Sequence, residues 1–366
     1  DVGEGSRTRN CGNPDDPNNH WHHGSLPHFA GWIWKGDTSS DTIDGHIFAY
    51  APLLDFVAAT DTERERVTSC LDDLVSYILQ CDLYYLDIDN VRTKWGRWNP
   101  IDINHDPHYY SERGLNSIEI LSYLASAYSV TRNETYRDVF EELAFGHPEY
   151  LVNSLNSKLD SPDEENHSDN ELHTLAYFSL FYSYARMLPL PMAHSSPPGA
   201  SGDDAADDAV RNALHRMVLP FLPSVDRWYS IVRREKSPMW AGLMAVVESI
   251  RPVRPPDATP DIGQMTEKDI EQAVSSLQRW SVDMIAWDFN NNPSLRWDVD
   301  ASPYFARDST NPIMRDILPP QERVQTHWNA DPYAIGPGGG GGSTEFAPSE
   351  YELPYYLLLF FGAIQE

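Results

Sequence analysis

The chain has 366 residues and a formal net charge of −28, from 27 basic and 55 acidic residues. That field repels nucleic acid and anionic membrane surfaces, and it counts against a polyanionic substrate unless a local basic patch overrides it. Hydrophobic residues make up 41% of the chain, enough for a large core, yet no apolar run reaches the roughly 18 residues that a membrane span needs.

Residues 1–30 are rich in Gly, Pro, Asn and His without periodicity, and read as an extended N-terminal arm. His20, His22, His23 and His28 cluster there. No Cys or carboxylate has matching spacing, so the histidines are a compositional signal and no metal site is assigned. Residues 31–366 read as one helical domain. A helix capped by Asp37 or Thr38 runs to about Val57, with a kink at Pro52, which has no N–H to donate. Asp41, Asp44 and Phe48 share one side of it, and Thr42, His46 and Tyr50 another. A second helix runs from Thr62 to Gln80 on the stripe Val67, Leu71, Leu74, Val75 and Ile78.

Leu83–Leu86 and Val91–Trp95 flank an Asx-rich turn and predict a β-hairpin. Asp87, Asp89 and Asn90 offer oxygen ligands for calcium, but the spacing matches no complete EF-hand loop and turn chemistry is preferred. No other cofactor is expected. A third helix opens at Ser111. A fourth spans Asn133 to Leu155 with an interruption near Gly146-His147-Pro148. A capping-box pattern, Ser168 with Glu171, starts a fifth that runs to about Leu188. A Pro/Ser/Gly loop follows, then a helix from Asp203 to Val218 ended by Pro220 and Pro223. An apolar helix over Met239–Ile250 is opened by Pro238. Thr266 caps another, expected to reach about Trp287. Residues 288–348 are long and irregular, the kind of segment that covers a site. A terminal helix begins between Ser349 and Leu353 and ends near Ala363.

There are three cysteines. On one helix Cys70 and Cys81 would lie about 16 Å apart, too far to bond; Cys11 can pair with either. Sequons at Asn133 and Asn166 permit glycosylation in a secreted protein, and the polar start at Asp1 fits a mature extracellular chain. The Gly338–Gly342 run has no Lys before Ser343 and is no phosphate loop. Neither a nucleophile elbow nor a zinc-protease helix is present.

Three segments share a pattern of a polar residue, two mostly apolar residues, a small one and a tyrosine: His46–Tyr50, Glu119–Tyr123 and His173–Tyr177. Repeated inner helix, turn and outer helix is the signature of a helical toroid, in which equivalent helix ends meet at one mouth. His46, Glu119 and His173 are then expected to converge, with Asp37, Asp41, Arg113, Asn116 and Asp169 around them.

On Trp34–Asp41, Trp95-Gly96-Arg97-Trp98, Gly114–Leu121 and Leu353–Tyr356, the chain resembles the (α/α) toroid proteins grouped as six-hairpin glycosidase-like, over about residues 30–366. The likeness is in style to uncharacterised members, so it implies an all-α toroid of helical hairpins and a carbohydrate-active role, but transfers no catalytic residue. The visible chain supplies about five inner helices.

A glycoside hydrolase needs a proton donor and a carboxylate partner. Asp41 and Glu119 are the assigned pair, with Asp37, Asp44, His46 and His173 as further candidates. Trp34, Trp95, Trp98 and Trp240 are the candidate sugar platform, and Arg97, Tyr109, Arg113 and Asn116 the polar binding set. A polysaccharide lyase is the alternative, with Tyr109 or His108 as base and Arg113 and Asn116 neutralising a uronate. A non-catalytic glycan-binding or structural extracellular protein, with homo-oligomers among its forms, is the third reading.

Overall fold

A computed structural model describes residues 20–88, 90–146, 149–156, 168–188, 204–252, 263–281, 283–306, 312–323, 332–335, 341–345 and 347–365. The described residues are mostly helical, with small two-stranded antiparallel sheets. In chain order they form β1 (Trp21–His23), β2 (Ile33–Lys35), α1 (Ser40–Pro52), α2 (Asp61–Gln80), β3 (Tyr84–Leu86), β4 (Arg92–Arg97), α3 (Arg113–Thr131), α4 (Glu134–Glu141) and α5 (Glu149–Ser154). Then follow α6 (Ser168–Ala185), α7 (Asp204–Val218), α8 (Leu222–Val232), α9 (Pro238–Ile250), α10 (Glu267–Gln278), β5 (Ala301–Ala306), β6 (Pro312–Met314) and α11 (Ser349–Phe360). No helix among the described residues is long and apolar enough to cross a membrane.

Five helices run parallel. Asp44 of α1 meets Tyr123 of α3, Phe48 meets Phe178 of α6, and Asp55, just past α1, meets Tyr182 and Arg186. Along α3 and α6, Ser126 meets Ser179 and Ser129 meets Arg186. Glu235, just ahead of α9, reaches Asn170 at the start of α6. Gly242 of α9 lies against Leu357 of α11, and Phe361 lies on Tyr182. Rising numbers pair with rising numbers throughout, so the N-terminal ends of α1, α3, α6, α9 and α11 lie at one end of the bundle.

Between them the chain returns antiparallel. Arg64 near the start of α2 donates to the Leu54 carbonyl past the end of α1. Asn153 of α5 meets Ser117 near the start of α3. Ser224 of α8 meets Tyr177 of α6. Ser276, near the end of α10, donates to the Lys236 carbonyl ahead of α9. The returning helices α2, α7 and α10 carry one apolar stripe and one solvated face. Helix α3 is instead buried on every side from Gly114 to Ser129. Its serines make that tolerable: Ser122 and Ser129 satisfy their hydroxyls on carbonyls one turn back, at 2.7 and 2.9 Å, so close packing leaves no orphaned donor there.

Several expectations are corrected. Helix α1 begins after Ser39, not at Asp37 or Thr38; Asp37 sits in the left-handed region at φ 51°. Its break is a π-turn over Leu53–Val57, directly after Pro52. Residues 20–35, expected to begin as an extended arm, hold the β1–β2 hairpin. Pro223 does not end a helix but sits in the first turn of α8, where a missing N–H costs nothing. Helix α10 stops at Gln278 rather than near Trp287. Strands β5 and β6 lie in the stretch expected to be irregular.

Candidate active site at the helix N-terminal ends

The end where the five helices begin is built largely from acids. In α1 and α3, Asp44 and Glu119 are both buried, at 1% and 0% exposure. Glu119 Oε2 accepts from the Trp98 indole N–H at 2.7 Å, and Asp44 Oδ1 accepts from the Tyr123 hydroxyl at 2.6 Å. The remaining oxygens, Glu119 Oε1 and Asp44 Oδ2, meet no donor group, while the two carboxyls lie within hydrogen-bonding reach of one another. Two carboxylates cannot face each other without a proton between them. Burial, with the charge of Glu119 next, raises Asp44 well above the usual carboxylate range. Burial pushes Glu119 up to about 7, opposed first by the Trp98 indole bond and then by the nearby Asp44 carboxyl and Ser40 hydroxyl. Asp41 stands one turn before Asp44; one of its oxygens is buried without a hydrogen-bond partner, and its charge adds to the rise at Asp44.

A second group gathers where α6, α9 and α11 begin. Glu171 has both carboxylate oxygens buried without a partner, and burial together with the charges of Glu350 and Glu235 pushes it up to about 9. Glu235, 6% exposed, accepts from the Trp240 indole at 3.0 Å and lies 3.5 Å from the Asn170 amide. Over them comes Arg323, 4% exposed, from the segment between α10 and α11. Burial pushes its guanidinium down to about 10, opposed by the charges of Glu235, Tyr333 and Glu350. Its Nε donates to the Leu318 carbonyl at 3.1 Å, which fixes it in that segment.

Other expected site residues fall elsewhere. His46 is exposed and stacks on Tyr50, so it does not converge with Glu119. His173 is fully buried, its Nδ1 2.7 Å from the Asp169 carbonyl. Asp37 is a clamp: its N–H donates to Asp87 Oδ2 and its Oδ1 accepts from Lys94 N–H, tying the approach to α1 onto the β3–β4 hairpin. Trp98 and Trp240 are core residues with their N–H groups spent on Glu119 and Glu235, and they present no open sugar platform. Trp34 packs on His22 at 4.5 Å. Trp95 is 40% exposed, with the Lys94 ammonium 4.2 Å from its ring centre, and fits a platform best of the four.

The residues of the lyase set make local contacts, and His108 is exposed with its Nδ1 2.9 Å from Asp106. Tyr109 donates its hydroxyl to the Lys94 carbonyl, Asn116 its amide to the Arg97 carbonyl, and the Arg113 guanidinium lies over Tyr110. Arg97 bonds the Thr93 carbonyl and lies 3.5 Å from Asp102. Asp87 is engaged by the N–H groups of Asp37 and Ile88, and Asn90 adopts φ 63° in the turn; Asp89 lies outside the described residues. No group of three metal-ligating side chains occurs among the described residues. Asn133 is exposed at the cap of α4, its Oδ1 accepting from the Thr135 N–H at 3.1 Å; Asn166 and Cys11 lie outside the described residues. Cys70 and Cys81 are both free thiols.

Glu171, Glu235, Glu350 and Arg323 were not expected at a site. Ser168 and Glu171 match a capping box in sequence, but the Glu171 carboxylate makes no capping bond. The sequence matches no protein-family model, and neither a curated protein nor a solved structure shows a significant match to it.

Proposed function

We propose that this chain is a secreted carbohydrate-active protein on an (α/α) toroid-like scaffold of helical hairpins, and that it hydrolyses a glycosidic bond with acids at the mouth formed by the helix N-termini. The observation that carries this is the Asp44–Glu119 pair beside Asp41. It keeps a carboxyl protonated near neutral pH, which is what a general acid for a leaving sugar oxygen requires. Glu119 is the proton donor, held in place by Trp98 and tuned by Asp44, and Asp41 is the carboxylate partner; because Glu119 is wholly buried, its proton reaches a glycan only when this end of the bundle opens. The resemblance to six-hairpin glycosidase-like proteins supports the scaffold, as do the five parallel helices with antiparallel returns. The exposed Asn133 sequon supports an extracellular setting.

The test is incubation with a panel of neutral and uronate glycans, with products read by mass and by ultraviolet absorbance. A water-added product, lost in Asp41→Asn and in Glu119→Gln, is the expected result. An unsaturated product moves the chemistry to a lyase. A second reading, a non-catalytic glycan-binding protein, is favoured by one observation: the Arg323-bearing segment lies over the acids of α6, α9 and α11. Binding without turnover across the panel would select it.

A further inference from the structure

A cavity of about 200 Å³ lies between the turn ahead of α9, the last turns of α10 and residues 317–320. It is smaller than the roughly 300–1,000 Å³ of a drug-sized ligand pocket, so it has room for one small ring rather than a chain. Its charge runs against the whole molecule. In a chain of net charge −28, the lining holds Lys236, Arg279 and Arg323 against Glu235 alone. Arg323 already answers Glu235. Lys236 and Arg279 are exposed, and neither has an acidic partner among the described residues.

Lys236 closes the short helical turn Arg233–Glu235, its N–H donating to the Arg233 carbonyl at 3.1 Å. It occupies the left-handed region at φ 53°, a conformation costly for a residue with a Cβ. It directly precedes the Ser237 cap of α9, where the helix dipole disfavours a cation. Its backbone is nevertheless pinned, through the bond from the Ser276 hydroxyl to its carbonyl at 3.1 Å. The Lys236 ammonium and the Arg279 guanidinium thus border one hollow, beside the last turns of α10, and both favour a bound anion. Gln272 and Ser275 add polar side chains for hydroxyl groups, while residues 317–320 supply an apolar wall for the face of a ring.

We propose that this cavity binds a sugar acid, a single polyhydroxylated ring bearing a carboxylate, with the carboxylate between Lys236 and Arg279 and the ring against the 317–320 wall. The site stands whether or not the chain cleaves a glycan.

The probe is glucuronate, titrated into the intact chain and followed by ligand-observed nuclear magnetic resonance, with glucose and inorganic phosphate as controls. Saturable glucuronate binding is expected, weakened by added salt, with no binding of glucose over the same range. The dissociation constant should rise at least about tenfold in Lys236→Gln/Arg279→Gln, the loss expected for charge-assisted hydrogen bonds. Both side chains are exposed, so the far-ultraviolet dichroism of that variant should be unchanged. Ser275→Trp, which fills the cavity and leaves its charge alone, should also abolish binding. Absence of saturable glucuronate binding, equal binding by either variant, or phosphate binding as tight as glucuronate would each overturn the assignment.

Discussion

The Trp98 indole donates to Glu119 across 2.7 Å, and both side chains are wholly buried. A tryptophan ahead of α3 therefore holds an acid inside it, in a helix with no solvent-facing side from Gly114 to Ser129. Glu119→Gln keeps an acceptor for the indole and is expected to leave stability within about 1 kcal/mol, whereas Glu119→Ala strands the N–H and should cost about 1–3 kcal/mol for that group plus the cavity left behind. Denaturant unfolding of the two variants checks the difference. Any hydrolytic turnover should fall about 10²–10⁴-fold in Glu119→Gln, the usual contribution of a general acid.

The pH dependence of stability follows from where the protons sit. The folded chain holds a proton on Glu119 up to about pH 7, whereas the unfolded carboxyl, with its ordinary value of 4.5, releases it earlier. Between those values the folded state binds more protons, so this contribution is full below about pH 4.5 and is lost as pH rises through about 7. Asp44 is raised too and acts in the same direction. Glu171, raised to about 9, extends the decline upward. Melting temperatures measured across this range should show Glu119→Gln flattening the lower part and Glu171→Gln the upper part. Unchanged slopes would remove both assignments.

The helical frame was legible where a local signal decides. The stripe of α2 appears in both sequence and structure, and the structure adds the Thr60–Glu63 capping box at its start. Asp41, Asp44 and Glu119 stood out as acids beside apolar helix bodies. Helix α8 was missed because Pro220 and Pro223 read as terminators, while a proline in a first turn is also a start. Glu171 was misread for a related reason: a serine three residues before a glutamate looks the same whether the acid caps the helix or is buried against the next one. His46 matched a spacing shared with Glu119, yet five residues cannot say which side of the helix a neighbour will cover. Arg323, Glu235 and Glu350 are brought together over long separations, for which no local pattern exists. Three-residue strands such as β1 and β2 are too short to show alternation.

At the opposite end of the bundle, Arg186, directly after α6, pairs with Asp55, which also accepts from the Tyr182 hydroxyl at 2.9 Å, and Arg186 Nη1 reaches the Ser129 carbonyl at 3.0 Å. One guanidinium thus ties α3 and α6 to the turn after α1. Removing one partner of a buried pair leaves the other charged and unsolvated, so Asp55→Ala should cost about 3–5 kcal/mol in denaturant unfolding. The double replacement Asp55→Leu/Arg186→Met should recover part of that loss, because an apolar pair strands no charge.

The cover over α6, α9 and α11 decides between the two readings of function, and Arg323 tests it. Beyond its own bond to Leu318, the segment is stitched through Glu322: its carboxylate takes the Arg296 guanidinium at 2.6 Å, and its carbonyl accepts from the Asn291 amide at 3.1 Å. Arg323→Gln keeps a donor but removes the positive charge beside Glu235 and Glu350. The cover should then loosen, and cleavage by a protease between α10 and α11 should quicken while the helical bundle stays folded. In a hydrolase, loosening opens the mouth, so turnover of a large glycan should rise or its KM fall. In a binding protein whose cover forms part of the ligand surface, affinity should drop and no turnover should appear. Limited proteolysis and glycan assays on one variant therefore separate the readings. Unaltered cleavage would mean that Arg323 does not hold the cover.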